Sequence, residues 1–104
     1  MANPANPVYK VVPFRNVTQL ISELAAKATL TGSRQQFITA LEFINNQLTR
    51  DPLAWGDPLY SAKKEGGRVL RGFHPPLMVH YVVFEAEKLV GIWKIEFFPA
   101  PPTG

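Results

Sequence analysis

Four cations crowd one short stretch. Residues 63–71 read Lys-Lys-Glu-Gly-Gly-Arg-Val-Leu-Arg and hold four of the 11 basic residues and one of the eight acidic ones. The whole net charge of +3 therefore sits in that segment, and the remainder of the chain is balanced. A localised excess of this kind suits a surface that meets a polyanion; the plain competing reading is a solvated basic loop and hairpin. Cleavage of RNA by its own 2′-hydroxyl needs a base for that proton, cations for the phosphorane and an acid for the leaving oxygen. Lys63, Lys64, Arg68 and Arg71 are the candidate RNA-binding cations. Arg68 and Arg71 double as candidate catalytic groups, because a planar guanidinium matches phosphate oxygens. Three residues apart on a strand, they face opposite ways, so only one can serve a given site. Arg71 is favoured as the one nearer His74 and the strand centre.

His74 is the candidate general base, since an unperturbed imidazole titrates near neutrality. Its competing role is a turn cap before Pro75-Pro76. His80 lies in mid-strand, where it either finds a partner within the sheet face or stands in a groove. Tyr9 and Tyr60 could stack on bases, but aromatic core packing is the simpler reading. Glu85, Glu87 and Glu96 form no evident carboxylate pair. No Ser-His-Asp order, phosphate-cradling glycine loop or metal-ligand spacing occurs, and the absence of cysteine excludes disulfides, thiolate metal sites and cysteine nucleophiles.

These residues need a scaffold, and 104 residues, 46% hydrophobic and 18% charged, suffice for one globular domain. No apolar run reaches the roughly 18 residues of a membrane span. Met1–Pro7 lacks a basic start and an apolar stretch, so no secretory signal and a cytoplasmic location are expected. Residues 1–7 read as an extended arm and residues 99–104 as a Pro-rich tail, leaving 8–98 as the domain.

Val8–Val12 predicts a strand closed by Pro13. Asn16 with Gln19 suggests a helix cap, and Val17, Leu20, Ile21, Leu24 and Ala28 follow at helical spacing. Gly32 ends that helix. Ser33 with Gln36 opens a second, whose apolar face is Phe37, Ala40, Leu41, Ile44 and Leu48, and Asp51-Pro52 ends it. The short link makes the two an antiparallel hairpin. Residues 51–67 read as a long loop pinned by Leu53, Trp55, Leu59 and Tyr60. Strands are predicted over 68–73, 77–84 and 88–98, the last two joined by a tight turn at Glu85-Ala86-Glu87. In the second of these, Leu77, Val79, Tyr81 and Val83 share one face, and Met78, His80, Val82 and Phe84 the other. In the third, strict alternation puts Trp93 with Leu89, Gly91, Ile95 and Phe97, and Val90 and Ile92 with Lys94 and Glu96. The expected fold is α+β, in the order β-α-α-β-β-β, an antiparallel sheet with the helix hairpin on one face.

This order resembles the RelE/ParE family of type II toxin–antitoxin toxins, known also from plasmid stabilisation systems. The resemblance rests on the helix-pair register, Leu48-Thr49-Arg50-Asp51-Pro52 with Gly56, Gly67-Arg68-Val69-Leu70-Arg71, Leu77–Val83, the acidic hairpin tip and Leu89–Ile95. It covers residues 8–98. It implies a small basic toxin neutralised by a cognate antitoxin protein, with a homodimer as a further option. RelE-like members cut messenger RNA on the ribosome as metal-independent endoribonucleases, ParE-like members poison DNA gyrase, and neither needs a cofactor. Tyr81 matches the family's strand tyrosine, a structural residue there. Two positions depart: Met78 replaces the arginine three residues before that tyrosine, and Phe97-Phe98-Pro99 carries no titrating group where the family's ribonucleases place one. The resemblance therefore implies either a toxin with an incomplete catalytic set, or a non-catalytic protein-binding module, ParE-like or a relic.

Overall fold

The computed structural model describes residues 8–62 and 66–98. Lys63 and Lys64, the arm and the tail lie outside the described residues. The elements are β1 (Lys10–Pro13), α1 (Arg15–Leu30), α2 (Arg34–Arg50), α3 (Pro52–Trp55), β2 (Asp57–Ala62), β3 (Gly67–His74), β4 (Leu77–Phe84) and β5 (Leu89–Phe97). They form an α+β fold with one five-stranded sheet in the order β1-β5-β4-β3-β2.

Two sequence expectations change together. The expected loop after α2 contains α3 and an edge strand, β2, which pairs antiparallel with β3. The expected antiparallel sheet is mixed, because β1 runs parallel to β5. The cause of both is one strand. When each connection reverses the chain, a three-strand meander after the helix hairpin ends antiparallel to β1, and a fourth strand restores the original direction. Pro58 and the register shift between Pro58 and Tyr60 hid β2 from a strand pattern.

The helix spacing holds. Val17 and Ala28 of α1, and Phe37, Ala40, Ile44 and Leu48 of α2, are buried, so each helix turns one apolar stripe inward. Its caps differ in part from expectation. Asn16 lies inside α1, whose N-cap is Phe14. Ser33 is the N-cap residue of α2, as expected, but its side chain makes no cap hydrogen bond. Its hydroxyl instead meets Thr31 Oγ1 at 2.8 Å, while its N–H donates to Ala28 O and Gly32 N–H to Thr29 O. That bond pair, with Gly32 at φ +75°, is a Schellman closure, which needs a left-handed residue a side chain would strain.

The helices pack on one sheet face. Leu70, Leu77, Val79, Tyr81, Val83, Val90, Ile92 and Ile95 meet them there, and Phe37 of α2 meets Phe97 of β5 edge to face at 5.8 Å. At the β2 side, α3 lowers Trp55 onto the sheet, stacked on Tyr81 at 5.9 Å. A side chain at Gly72 would collide with that indole, so glycine lets ring and strand touch.

Candidate functional site

Residues directly opposite on neighbouring strands share a face. The pairings Asp57–Arg71, Arg71–His80 and His80–Lys94 therefore draw one row across β2, β3, β4 and β5. Its neighbours on the helix-side core are Leu70–Tyr81 and Val79–Ile95, so the row lies on the opposite face. No described helix covers that face. Tyr60 and Val69, then Met78 and Glu96, flank the row as further pairs.

A bulge completes the site. His80 pairs with Lys94 and Tyr81 with Ile92, leaving Trp93 as an extra residue on β5. Strict alternation predicted Trp93 opposite to Lys94; the bulge changes the count, so Ile92 and Ile95 both enter the core. Trp93 packs on the His80 ring at 5.1 Å, which places it beside the row.

His80 is the residue whose role the sequence left open. It retains 9% exposure, and its Nε2 is buried without a hydrogen-bond partner. Glu96 Oε2 lies 3.8 Å from that nitrogen, and Glu96 Oε1 lies 3.2 Å from Lys94 Nζ. A carboxylate facing Nε2 repels a lone pair and attracts a proton, so it selects the Nε2–H tautomer and leaves the lone pair on Nδ1. Burial pushes the imidazole below its ordinary value of 6.5; Glu96 opposes that shift, while Lys94 and Arg71 add to it. His80 is thus neutral near pH 7, with a carboxylate near but not hydrogen-bonded to its Nε2, and a neutral imidazole is chemically able to accept a proton. Glu96 itself is held below its ordinary range by the Lys94 ammonium first, and by His80.

The depressed His80 value carries a stability signature. The unfolded chain takes up the proton first as pH falls below 6.5. Stability is therefore complete above that value and declines from there down to the folded value. Glu96 adds a separate loss when pH falls below its ordinary 4.5. The thermal midpoint is expected to drop as pH falls through and below 6.5, and His80→Gln to remove that slope. An unchanged slope in the variant would place the titration elsewhere.

Among the other sequence candidates, Arg71 stands in the row, with no carboxylate within salt-bridge distance among the described residues. Arg68 does not join it. It lies opposite Val83 on the other face and pairs with Glu85, Nε to Oε1 3.3 Å, both side chains about half exposed or more. His74 does not join it either. It pairs with Leu77, stacks on Phe43 of α2 at 4.2 Å, and turns Nδ1 to Pro75 O at 3.1 Å. The expected proximity of Arg71 and His74 fails because an odd offset on a strand reverses the face. Tyr9 is buried and Tyr60 is 61% exposed, so only the latter is available for stacking. Tyr81 is fully buried; its hydroxyl donates to Pro52 O and accepts from Gly56 N–H, and burial pushes its pKa up.

The sequence left the role of His80 open and did not connect it with Glu96; the alternation of Met78, His80 and Val82 onto the face away from the helices was legible, whereas the Glu96 contact depends on the pairing of β4 with β5. Among the described residues no group of three potential ligands could hold a metal ion, and no helix is long and apolar enough to cross a membrane. Comparison with protein-family models, with curated proteins and with solved structures gives no match.

Proposed function

We propose that this chain is the toxin component of a type II toxin–antitoxin system of the RelE/ParE kind, acting as a metal-independent endoribonuclease on ribosome-bound messenger RNA, with a cognate antitoxin as its partner. The observation that carries the reading is the Arg71–His80–Lys94 row on the helix-free face, with Glu96 behind His80. The order of two helices before an antiparallel β2–β5 meander is compatible with the family resemblance.

His80 Nδ1 takes the 2′-hydroxyl proton as the 2′-oxygen bonds to phosphorus. The bond from phosphorus to the 5′-oxygen breaks, and that oxygen takes a proton from water. A 2′,3′-cyclic phosphate and a 5′-hydroxyl result. Arg71 and Lys94 stabilise the charge that builds on the phosphorane oxygens. Tyr60 offers a stacking surface beside them.

Induced expression of the wild-type chain is expected to arrest growth and to create new 5′ ends in messages. Arg71→Ala is expected to lower cleavage by about 10²–10³-fold, the usual effect of removing one transition-state charge partner. Arg68→Ala, on the other face, is expected to leave it unchanged. Wild-type induction without new 5′ ends would overturn the ribonuclease reading. One observation favours a protein-binding module instead: Phe73 and Phe98, 53% and 49% exposed, form an edge-to-face pair at 6.4 Å. Inhibited gyrase supercoiling, insensitive to Arg71→Ala, would support that alternative.

A further inference from the structure

The face that carries the row is more apolar than a solvated sheet face needs to be. Val69 and Val82 lie opposite each other there. They are 5% and 8% exposed, yet neither belongs to the core beneath the helices. An antiparallel sheet with one wet face alternates apolar and polar residues along each strand, whereas a strand covered on both sides reads as a continuous apolar run. β4, Leu-Met-Val-His-Tyr-Val-Val-Phe, is of the second kind, and only Met78 and Phe84 in it are less than buried.

Aromatic rings extend that surface on both sides of the row. On one side Phe73 lies opposite Met78 and packs edge to face on Phe98, both rings about half exposed. On the other side Phe84 and Phe14 lie against Gly67 and Gly91, where a Cβ would collide with each ring. Tyr60 stands exposed there, opposite Val69. Between the two aromatic groups the charges cancel, Asp57 and Glu96 against Arg71 and Lys94.

We infer that this face is an interface between two copies of the chain, packed sheet on sheet about a two-fold axis along β4. β4 is the central strand of the five, so that axis lays β3 of one copy over β5 of the other. Aligned sheets interdigitate their inner side chains across about 10 Å. Arg71, without a carboxylate partner among the described residues, then comes over the strand that carries Glu96 of the second copy, and symmetry repeats the contact. A face with two charges of each sign complements itself, whereas a polyanion or an acidic peptide would meet Asp57 and Glu96 with like charge. The area also suffices. At about 3.3 Å per residue and about 4.8 Å between strands, the five strands present about 550 Å². Two copies bury about 1,100 Å², above the roughly 1,000 Å² that a specific interface requires. The pair covers Arg71, His80 and Lys94, so it is a closed form of the row. That consequence rests on the ribonuclease reading above; the dimer does not.

The test is sedimentation equilibrium of the full chain from micromolar to near-millimolar concentration. A species of twice the 11.6 kDa chain mass is expected. Phe73→Lys and Tyr60→Lys, at exposed positions on opposite sides of the row, are each expected to weaken the association about ten-fold or more, the effect of losing an aromatic anchor from an interface. Leu30→Lys, exposed at the end of α1, is expected to leave it unchanged. A chain that stays monomeric overturns the inference and leaves the face to another molecule. A dimer that survives both β-strand variants, or that Leu30→Lys dissociates, has its interface elsewhere and also overturns it. NMR of the wild-type chain across the same dilution needs no variant: shifts are expected at Val69, Val82 and Trp93, and shifts confined to α1 and α2 overturn the inference. A dimer of this kind in a chain that cuts no message would remove the ribonuclease reading and leave this one standing, and a monomer that cuts would do the reverse.

Discussion

His80→Gln is expected to lower message cleavage by about 10²–10⁴-fold, the range over which a positioned general base contributes. Glutamine keeps most of the volume and a donor towards Glu96, so the fold should persist, and circular dichroism checks that. The pH profile separates a base from a packing residue. In the proposed mechanism the neutral imidazole is the active form, so the acid limb of the rate should fall below pH 6.5, where burial has pushed this group. Glu96 raises the His80 value, and Glu96→Gln should therefore move that limb to still lower pH while reducing the rate. A limb that stays in place in Glu96→Gln, or a His80→Gln chain that cuts as the wild type does, would remove His80 from the chemistry.

Tyr81→Phe should be the most damaging single-atom deletion in the core. The hydroxyl lies at the junction of α3 and β2, where it bridges the buried carbonyl of Pro52 and the buried N–H of Gly56. Phenylalanine fills the same space and strands both backbone groups. Each unsatisfied buried group costs about 1–3 kcal/mol, so a combined loss of about 2–6 kcal/mol is expected in denaturant unfolding at unchanged slope. Such a loss is a large part of the roughly 5–15 kcal/mol that holds a typical domain together. Gly56 cannot compensate by taking a side chain, since a Cβ there would collide with the same hydroxyl. A loss under about 0.5 kcal/mol would mean that the bridge is replaced, for instance by water, and is not what holds α3 in place.

These two predictions concern neighbouring residues with opposite fates. Tyr81 faces the helices and His80 faces away. The alternation Leu77, Val79, Tyr81, Val83 against Met78, His80, Val82, Phe84 made that division legible before any coordinates, because a strand's period of two is a local property. The same holds for the apolar stripes of α1 and α2, and for the opposed directions of Arg68 and Arg71. It does not hold for the third predicted strand, where the period breaks at Trp93. A bulge is set by the partner strand, and nothing in Leu89–Phe97 alone marks it.

Local spacing thus determined which residues could share a face, that α1 and α2 form, and where Arg68 and Arg71 enter the sheet, but not that α3 forms. Tertiary structure decided which residues meet. Pairing of β3 with β4 and of β4 with β5 brings Arg71, His80 and Lys94 into one row although the outer two lie 23 positions apart in the chain. It also sends His74 to Phe43, and adds β2, whose pairing turns β1 parallel to β5. The physical reason is the range of the forces involved. Backbone sterics and side-chain alternation act within a few residues, whereas strand register is chosen by the buried area and the hydrogen bonds of the whole sheet.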